Sequence, residues 1–188
     1  VDVVGNYYAF TALKADGTVV TWGSTSYGGY ESYSGGLASD MAEISGYGDG
    51  DKVKAIYTNN NDAFAALKNN GTVIAWGNAT NGGTMGSTLV ADIGAVSSAD
   101  NKVEQIYATG YAFAALKADG TVVAWGAAAN GGDLASNSST ATNIAIKAYL
   151  GSIDIQVSGD KVKAIYSTYS AFAALKENGT VVTWGQTN

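Results

Sequence analysis

Four stretches of the chain repeat one order of apolar and polar positions without a gap: AFTALKADGTVVTWG (Ala9–Gly23), AFAALKNNGTVIAWG (Ala63–Gly77), AFAALKADGTVVAWG (Ala112–Gly126) and AFAALKENGTVVTWG (Ala171–Gly185). In each, two short runs rich in apolar and β-branched residues flank an Asp-Gly or Asn-Gly pair that ends in Gly17, Gly71, Gly120 or Gly179. Such a pair between such runs predicts a β-hairpin with a tight type I′ turn, whose two central residues both need positive φ. A further run precedes three of the hairpins and predicts a leading strand: VKAIY (Val53–Tyr57), VEQIY (Val103–Tyr107) and VKAIY (Val162–Tyr166). In the first unit only Val3-Val4 stands in that place, so its leading strand is expected to be short or absent.

The alternation of a half-solvated sheet is missing from these runs. In the second unit Phe64 and Ala66 point one way while Ala63, Ala65 and Leu67 point the other, and Ile74 and Trp76 likewise oppose Val73 and Ala75. A sheet wetted on one side would alternate apolar with polar residues. Each small sheet therefore needs cover on both faces, and the abundant cover is the next copy of itself. The expected core is the set Phe10, Trp22, Phe64, Trp76, Phe113, Trp125, Phe172 and Trp184, joined by the recurrent Tyr57, Tyr107 and Tyr166. The tryptophans lie 54, 49 and 59 residues apart, a period of propellers and related β arrays. The fold expected is all-β: one repeat domain over residues 1–188, with units at about 1–29, 52–83, 102–132 and 161–188 and variable spacers between them. Its antiparallel hairpin blades would form a propeller-like ring or an open superhelical array.

The pattern A-L-K-x-x-G-x-V-x-x-W-G, followed after four or five residues by Gly28-Gly29, Gly82-Gly83 or Gly131-Gly132, resembles the repeat of the regulator of chromosome condensation family. It is also similar to bacterial propeller relatives of the β-lactamase inhibitory protein II type. The resemblance implies blades whose tryptophan strand packs on a neighbour and whose rim loops bind. Two departures matter. Ala-Phe replaces the usual small residue and His before the Ala-Leu strand, and Gly-Gly replaces a longer Gly-Gln-Leu-Gly after the tryptophan strand. The nucleotide-exchange and chromatin roles of eukaryotic members therefore do not carry over, nor do the inhibitor's contact residues. Family members close rings of more than four blades, so exposed faces at both ends of this array are expected unless something covers them.

Composition narrows the chemistry. The chain has no Cys, His or Pro, and all ten of its cations are Lys. The common nucleophile–base pairs and thiolate or imidazole zinc sites are thereby excluded. With a net charge of −6 and lysines spread through the units, nucleic acid is not an expected partner, because phosphate binding needs clustered cations. No apolar run reaches the roughly 20 residues of a membrane span. Carboxylates fall mainly in predicted turns, where their role is turn chemistry, and no catalytic pair is visible. The stretch Gly46–Asp51 has the Gly and Asp content of bacterial calcium turns, with Asp49 and Asp51 as candidate ligands. It occurs once, and a lone half-match of this kind is more often a flexible acidic turn than a metal site. No cofactor is expected.

Tyr27, Tyr30, Tyr33 and Tyr47 lie in or beside the first spacer among Gly and Ser, a mixture used by adaptable binding loops. They form the candidate interaction loop, or else they cover an adjoining blade. The spacers, rich in Gly, Ser, Thr and Asn, and a first residue that is not Met, point to an extracellular or cell-surface protein. The leading functional expectation is a non-catalytic structural or adhesive protein that self-assembles into an oligomer or filament. The alternative is a monomeric propeller that binds a protein or carbohydrate through its rim.

Overall fold

In a computed structural model of the chain, the described residues are 1–29, 52–85, 93–94, 102–133 and 161–186. They build four separate three-stranded antiparallel sheets, each with its strands in chain order. Unit 1 holds β1 (Asp2–Gly5), β2 (Ala9–Leu13) and β3 (Val19–Gly23); unit 2 holds β4 (Val53–Thr58), β5 (Ala63–Lys68) and β6 (Val73–Gly77). Unit 3 holds β7 (Val103–Ala108), β8 (Ala112–Lys117) and β9 (Val122–Gly126); unit 4 holds β10 (Val162–Ser167), β11 (Ala171–Lys176) and β12 (Val181–Gly185). The all-β blade architecture expected from the repeat is the one observed. The leading strand of unit 1 is present but spans four residues against six elsewhere.

Register follows residue identity. Phe10, Phe64, Phe113 and Phe172 stand directly across from Trp22, Trp76, Trp125 and Trp184. Each pair of rings stacks at 5.2–5.6 Å. The hairpin loops differ from the expected type I′ turn, because only the glycine has positive φ (84° at Gly17, 88° at Gly71) and Asp16 and Asn70 do not. Gly17 N–H donates to Lys14 O (3.0 Å) and Lys14 N–H to Thr18 O (2.8 Å), which makes a type I turn closed by a left-handed glycine. The residue after the glycine explains the difference. Asp16 Oδ1 accepts from both the amide and the hydroxyl of Thr18, and Asn70–Thr72, Asp119–Thr121 and Asn178–Thr180 repeat the arrangement.

The core lies between the sheets. Each sheet has a Phe–Trp face and an Ala–Leu face, and the Ala–Leu face of one unit packs on the Phe–Trp face of the next. Val4, Ala9, Leu13 and Val19 of unit 1 meet Val53, Ile56, Phe64, Ala66, Ile74 and Trp76 of unit 2. Ala63, Ala65, Leu67 and Val73 meet Val103, Ile106, Phe113, Ala115 and Trp125, with Ile93 added. Ala112, Ala114, Leu116 and Val122 meet Val162, Ile165, Phe172, Ala174 and Trp184. Alanine lets the sheets approach closely, and the two aromatic rings fill the space left. Burying such a ring contributes about 1.5–3 kcal/mol. Backbone bonds lock each joint: Val53, Val103 and Val162 donate N–H to Gly17, Gly71 and Gly120 O at 3.0–3.2 Å. The first strands β1, β4, β7 and β10 touch in succession, so the units fan out from a shared inner edge.

A second glycine completes the joint. Gly28, Gly82 and Gly131 end one-turn 3-10 segments (Thr25–Tyr27, Ala79–Asn81, Ala128–Asn130) in the left-handed conformation. They lie flat on the Phe–Trp pair of the following unit. A Cβ at Gly28 would come within 2.8 Å of Phe64 Cδ2, and one at Gly82 equally close to Phe113. Trp125 Nε1–H and Trp184 Nε1–H donate to Gly82 O and Gly131 O at 3.1 Å.

Among the described residues the row of sheets does not close. Phe10 (49%) and Trp22 (40%) are exposed, as is Tyr166 (62%), which corrects the expectation that all three are core. The reason is positional. Each buried Phe–Trp pair is covered by the sheet and glycine loop of the unit before it, and no described unit precedes unit 1. Tyr166 is on the Ala–Leu face of unit 4, which no described unit follows.

Candidate binding surface

The loops that join the first and second strands of each unit, residues 6–8, 59–62, 109–111 and 168–170, gather at one end of the inner edge. One polar side chain holds each in the first three units. Asn6 Oδ1 accepts from the amides of Tyr8 and Ala9, while its Nδ2 donates to Tyr27 O (2.8 Å). Asn59 repeats this with Asp62, Ala63 and Asn81 O, and Thr109 with Ala112 and Asn130 O. The loops are thus tied to the 3-10 segments, whose glycines grip the next unit. A rigid joint thereby sets the position of a loop surface.

That surface is built of tyrosine and asparagine. Tyr8 stacks on Tyr27 at 4.2 Å and meets Tyr7 edge-on at 6.3 Å. Tyr7 N–H donates to Asn60 O (3.1 Å), which carries the path into unit 2. Asn60 has φ of 65°, the one positive value outside glycine among the described residues. Asn61 Nδ2 donates to Gly110 O of unit 3 (2.6 Å) and to the hydroxyl of Tyr169 in unit 4 (3.1 Å). The Tyr169 hydroxyl donates to that of Tyr111 (3.3 Å), with the rings edge-to-face at 5.8 Å. Gly110 N–H donates to Tyr169 O, and a Cβ at Gly110 would strike the Tyr169 ring. The hydrogen bond and the nearby phenol of Tyr169 push the Tyr111 pKa above its usual value of about 10. Asp62 is buried at the edge of the surface and accepts from Asn81 Nδ2 (2.5 Å). All four units contribute, and Tyr7, Tyr8 and Tyr169 remain more than half exposed.

Of the expected interaction loop, Tyr27 belongs to this surface, while Tyr30, Tyr33 and Tyr47 lie outside the described residues. So do the candidate calcium ligands Asp49 and Asp51, and most of the spacers. Among the described residues no three His, Cys, Asp or Glu side chains gather as a metal site, and no helix is long and apolar enough to cross a membrane. Tyr7, Tyr8, Tyr111 and Tyr169 were not singled out by sequence reading. Their signal is the pair of residues before each Ala-Phe, which reads Tyr-Tyr, Asn-Asp, Gly-Tyr and Tyr-Ser beside blocks that hardly vary.

The opposite rim, at the hairpin turns, is chemically different. Lys14, Lys52, Lys54, Lys68, Lys102, Lys117, Lys161, Lys163 and Lys176 collect there, although the sequence spreads them evenly. Asp16, Glu104, Asp119 and Glu177 are interleaved with them. A cleft of about 410 Å³ opens between units 2 and 3, lined by Lys54, Lys68, Lys102 and Glu104 among others. The molecule thus has a phenol and carboxamide end and a mixed-charge end.

No family model matches the chain, and no curated protein matches it. Solved structures do. Human WBSCR16 is 22% identical with a TM-score of 0.56, over 98% of this chain and 47% of that one. Yeast RCC1 (Prp20), solved bound to Kap60, is 20% identical with a TM-score of 0.56, over 98% and 43%. Prp20p from Saccharomyces cerevisiae, described with its binding to Gsp1p and histones, is 21% identical with a TM-score of 0.54, over 98% and 44%. The chain therefore spans less than half the length of the structures it matches. Its fold is that of RCC1-type propeller blades; the described residues form four, which do not close into a ring.

Proposed function

We propose that this chain is a non-catalytic protein-binding module whose partner docks on the tyrosine rim formed by Tyr7, Tyr8, Tyr27, Tyr111 and Tyr169. One observation carries the reading: the Asn61 carboxamide of unit 2 and the Tyr111 and Tyr169 phenols of units 3 and 4 share one hydrogen-bonded network, and the Tyr7 backbone amide of unit 1 donates to Asn60 O beside it. Tyrosine supplies a large, stiff contact area with a polar tip at low entropic cost, and asparagine adds adaptable hydrogen bonds. The fold neighbours support a binding role, since yeast RCC1 was solved in complex with a protein. Their particular partners are not transferred.

Site-specific photo-crosslinking tests the reading. A photoreactive residue at Tyr8 should capture one protein in the native source, and Tyr169→Ser in the same chain should abolish that adduct. Adducts that form only from the lysine rim would overturn it. Saturable binding to a glycan array, lost in the same variant, would replace protein by carbohydrate as the ligand.

A second reading rests on a different observation, the open apolar faces at the two ends of the row. Under it, copies assemble end to end, and the chain serves as a structural or adhesive repeat protein outside the cell. A fluorescent-tag secretion assay in the native source addresses the location.

A further inference from the structure

The assembly reading can be made specific, because the molecule contains three worked examples of the joint that would be needed. At each internal joint an Ala–Leu face meets a Phe–Trp face in the same register. Unit 1 turns an unused Phe–Trp face to solvent: Val3 (53% exposed), Phe10, Val20 (39%) and Trp22. Their counterparts Ile56, Phe64 and Trp76 in unit 2 are at most 8% exposed. Unit 4 turns an unused Ala–Leu face to solvent, with Val181 at 60% and Leu175 half-buried. In unit 3 the matching Val122 and Leu116 are buried under unit 4. At the turn, Gly120 has Lys161 of the next unit packed against it, whereas Gly179 has nothing within 4 Å.

Resting on the assembly reading, we infer that the Ala–Leu face of unit 4 in one copy docks on the Phe–Trp face of unit 1 in a second copy, head to tail. The two faces carry the residues of an internal joint: Ala171, Leu175 and Val181 on one side, Phe10, Val20 and Trp22 on the other. The contact is heterologous. Each copy that docks leaves one free face of each kind, so it propagates as an open chain unless the rotation closes a ring. The joint between copies is weaker than the internal ones. Among the described residues, the three glycine loops are seated on Phe64, Phe113 and Phe172, so none of these three covers Phe10 of a second copy. Association is therefore reversible and rises with concentration, and the edge of Trp22 stays accessible to solvent.

Sedimentation velocity of the full chain over a wide concentration range tests this. The wild type should form a ladder of oligomers. Phe10→Glu blocks the head and Val181→Glu blocks the tail, each placing a carboxylate in an apolar contact. Each should weaken self-association by roughly 100-fold. Both positions are exposed in the single chain, so each variant should keep the wild-type circular dichroism spectrum. Mixed together, the two variants should form a one-to-one dimer and nothing larger, because one head and one tail remain free. A ladder that persists in either variant, or a mixture that stays monomeric, overturns the proposed joint while leaving assembly by other surfaces standing. A wild type that stays monomeric throughout overturns both the joint and the assembly reading. Neither result bears on the tyrosine rim, since Tyr169→Ser leaves the end faces intact.

Discussion

The Phe10–Trp22 pair and the Phe113–Trp125 pair are almost the same piece of sequence in two different states. Both hairpins have the same register, both ring pairs stack, and both turns close on a left-handed glycine. Yet Phe113 is fully buried and Phe10 is half exposed. The hairpin therefore specifies its own geometry, but its burial belongs to the neighbour. In a solenoid-like protein the stabilising area resides in the joints, and an end unit has one joint where an interior unit has two.

The strongest way to break this comparison is to remove the same ring in both places. Phe113→Ala should cost about 3–5 kcal/mol, because it empties a closed contact between two sheets and a glycine loop. Phe10→Ala should cost about 1 kcal/mol, the value of a partly exposed ring stacked on one tryptophan. Urea unfolding of the two variants at a concentration where the chain is monomeric measures the difference. Equal losses would mean that unit 1 has cover which the end of the row does not show.

The turn glycines sharpen the same contrast at smaller scale. Gly71 and Gly179 share φ of 88° and 85°, so alanine at either should cost about 1 kcal/mol of backbone strain. At Gly71 the new Cβ would also stand 2.6 Å from Lys102 Cβ, and at Gly179 it meets nothing. Gly71→Ala should therefore lose about 1–3 kcal/mol more than Gly179→Ala. The excess is the steric share of an internal joint, read directly from thermal or urea melts.

Much of this was legible in the residues. Apolar residues on both strand faces predicted sheets that cover one another, and Phe–Trp blocks at a propeller period located the units. Two kinds of fact were not legible. Whether Phe10 and Trp22 are core depends on what precedes them in space, and a local pattern holds no record of that. The tyrosine rim is assembled from loops about 50 to 160 residues apart, so Asn61 and Tyr169, 108 residues apart, meet only after two joints have set the curvature of the row. The turn type was misread for a nearer reason. Asp-Gly and Asn-Gly suit a type I′ turn, but the following Thr18, Thr72, Thr121 or Thr180 supplies a side-chain closure that favours a type I turn with a left-handed glycine.

The smallest expected effect has the opposite sign. Position 11 faces unit 2 from β2, where the other units have Ala65, Ala114 and Ala173. Thr11 is fully buried, and its hydroxyl finds no hydrogen-bond partner among the described residues. An unpaired buried hydroxyl costs about 1–3 kcal/mol. Thr11→Val keeps the branched shape suited to a strand and replaces that hydroxyl with a methyl group. It should stabilise the chain by about 1 kcal/mol in urea unfolding. Thr11→Ala should gain less, because it also gives up a buried methyl group worth about 0.8 kcal/mol. A loss of stability in Thr11→Val would show that the hydroxyl is satisfied, and the first joint would then be sealed by a polar contact that the other two lack.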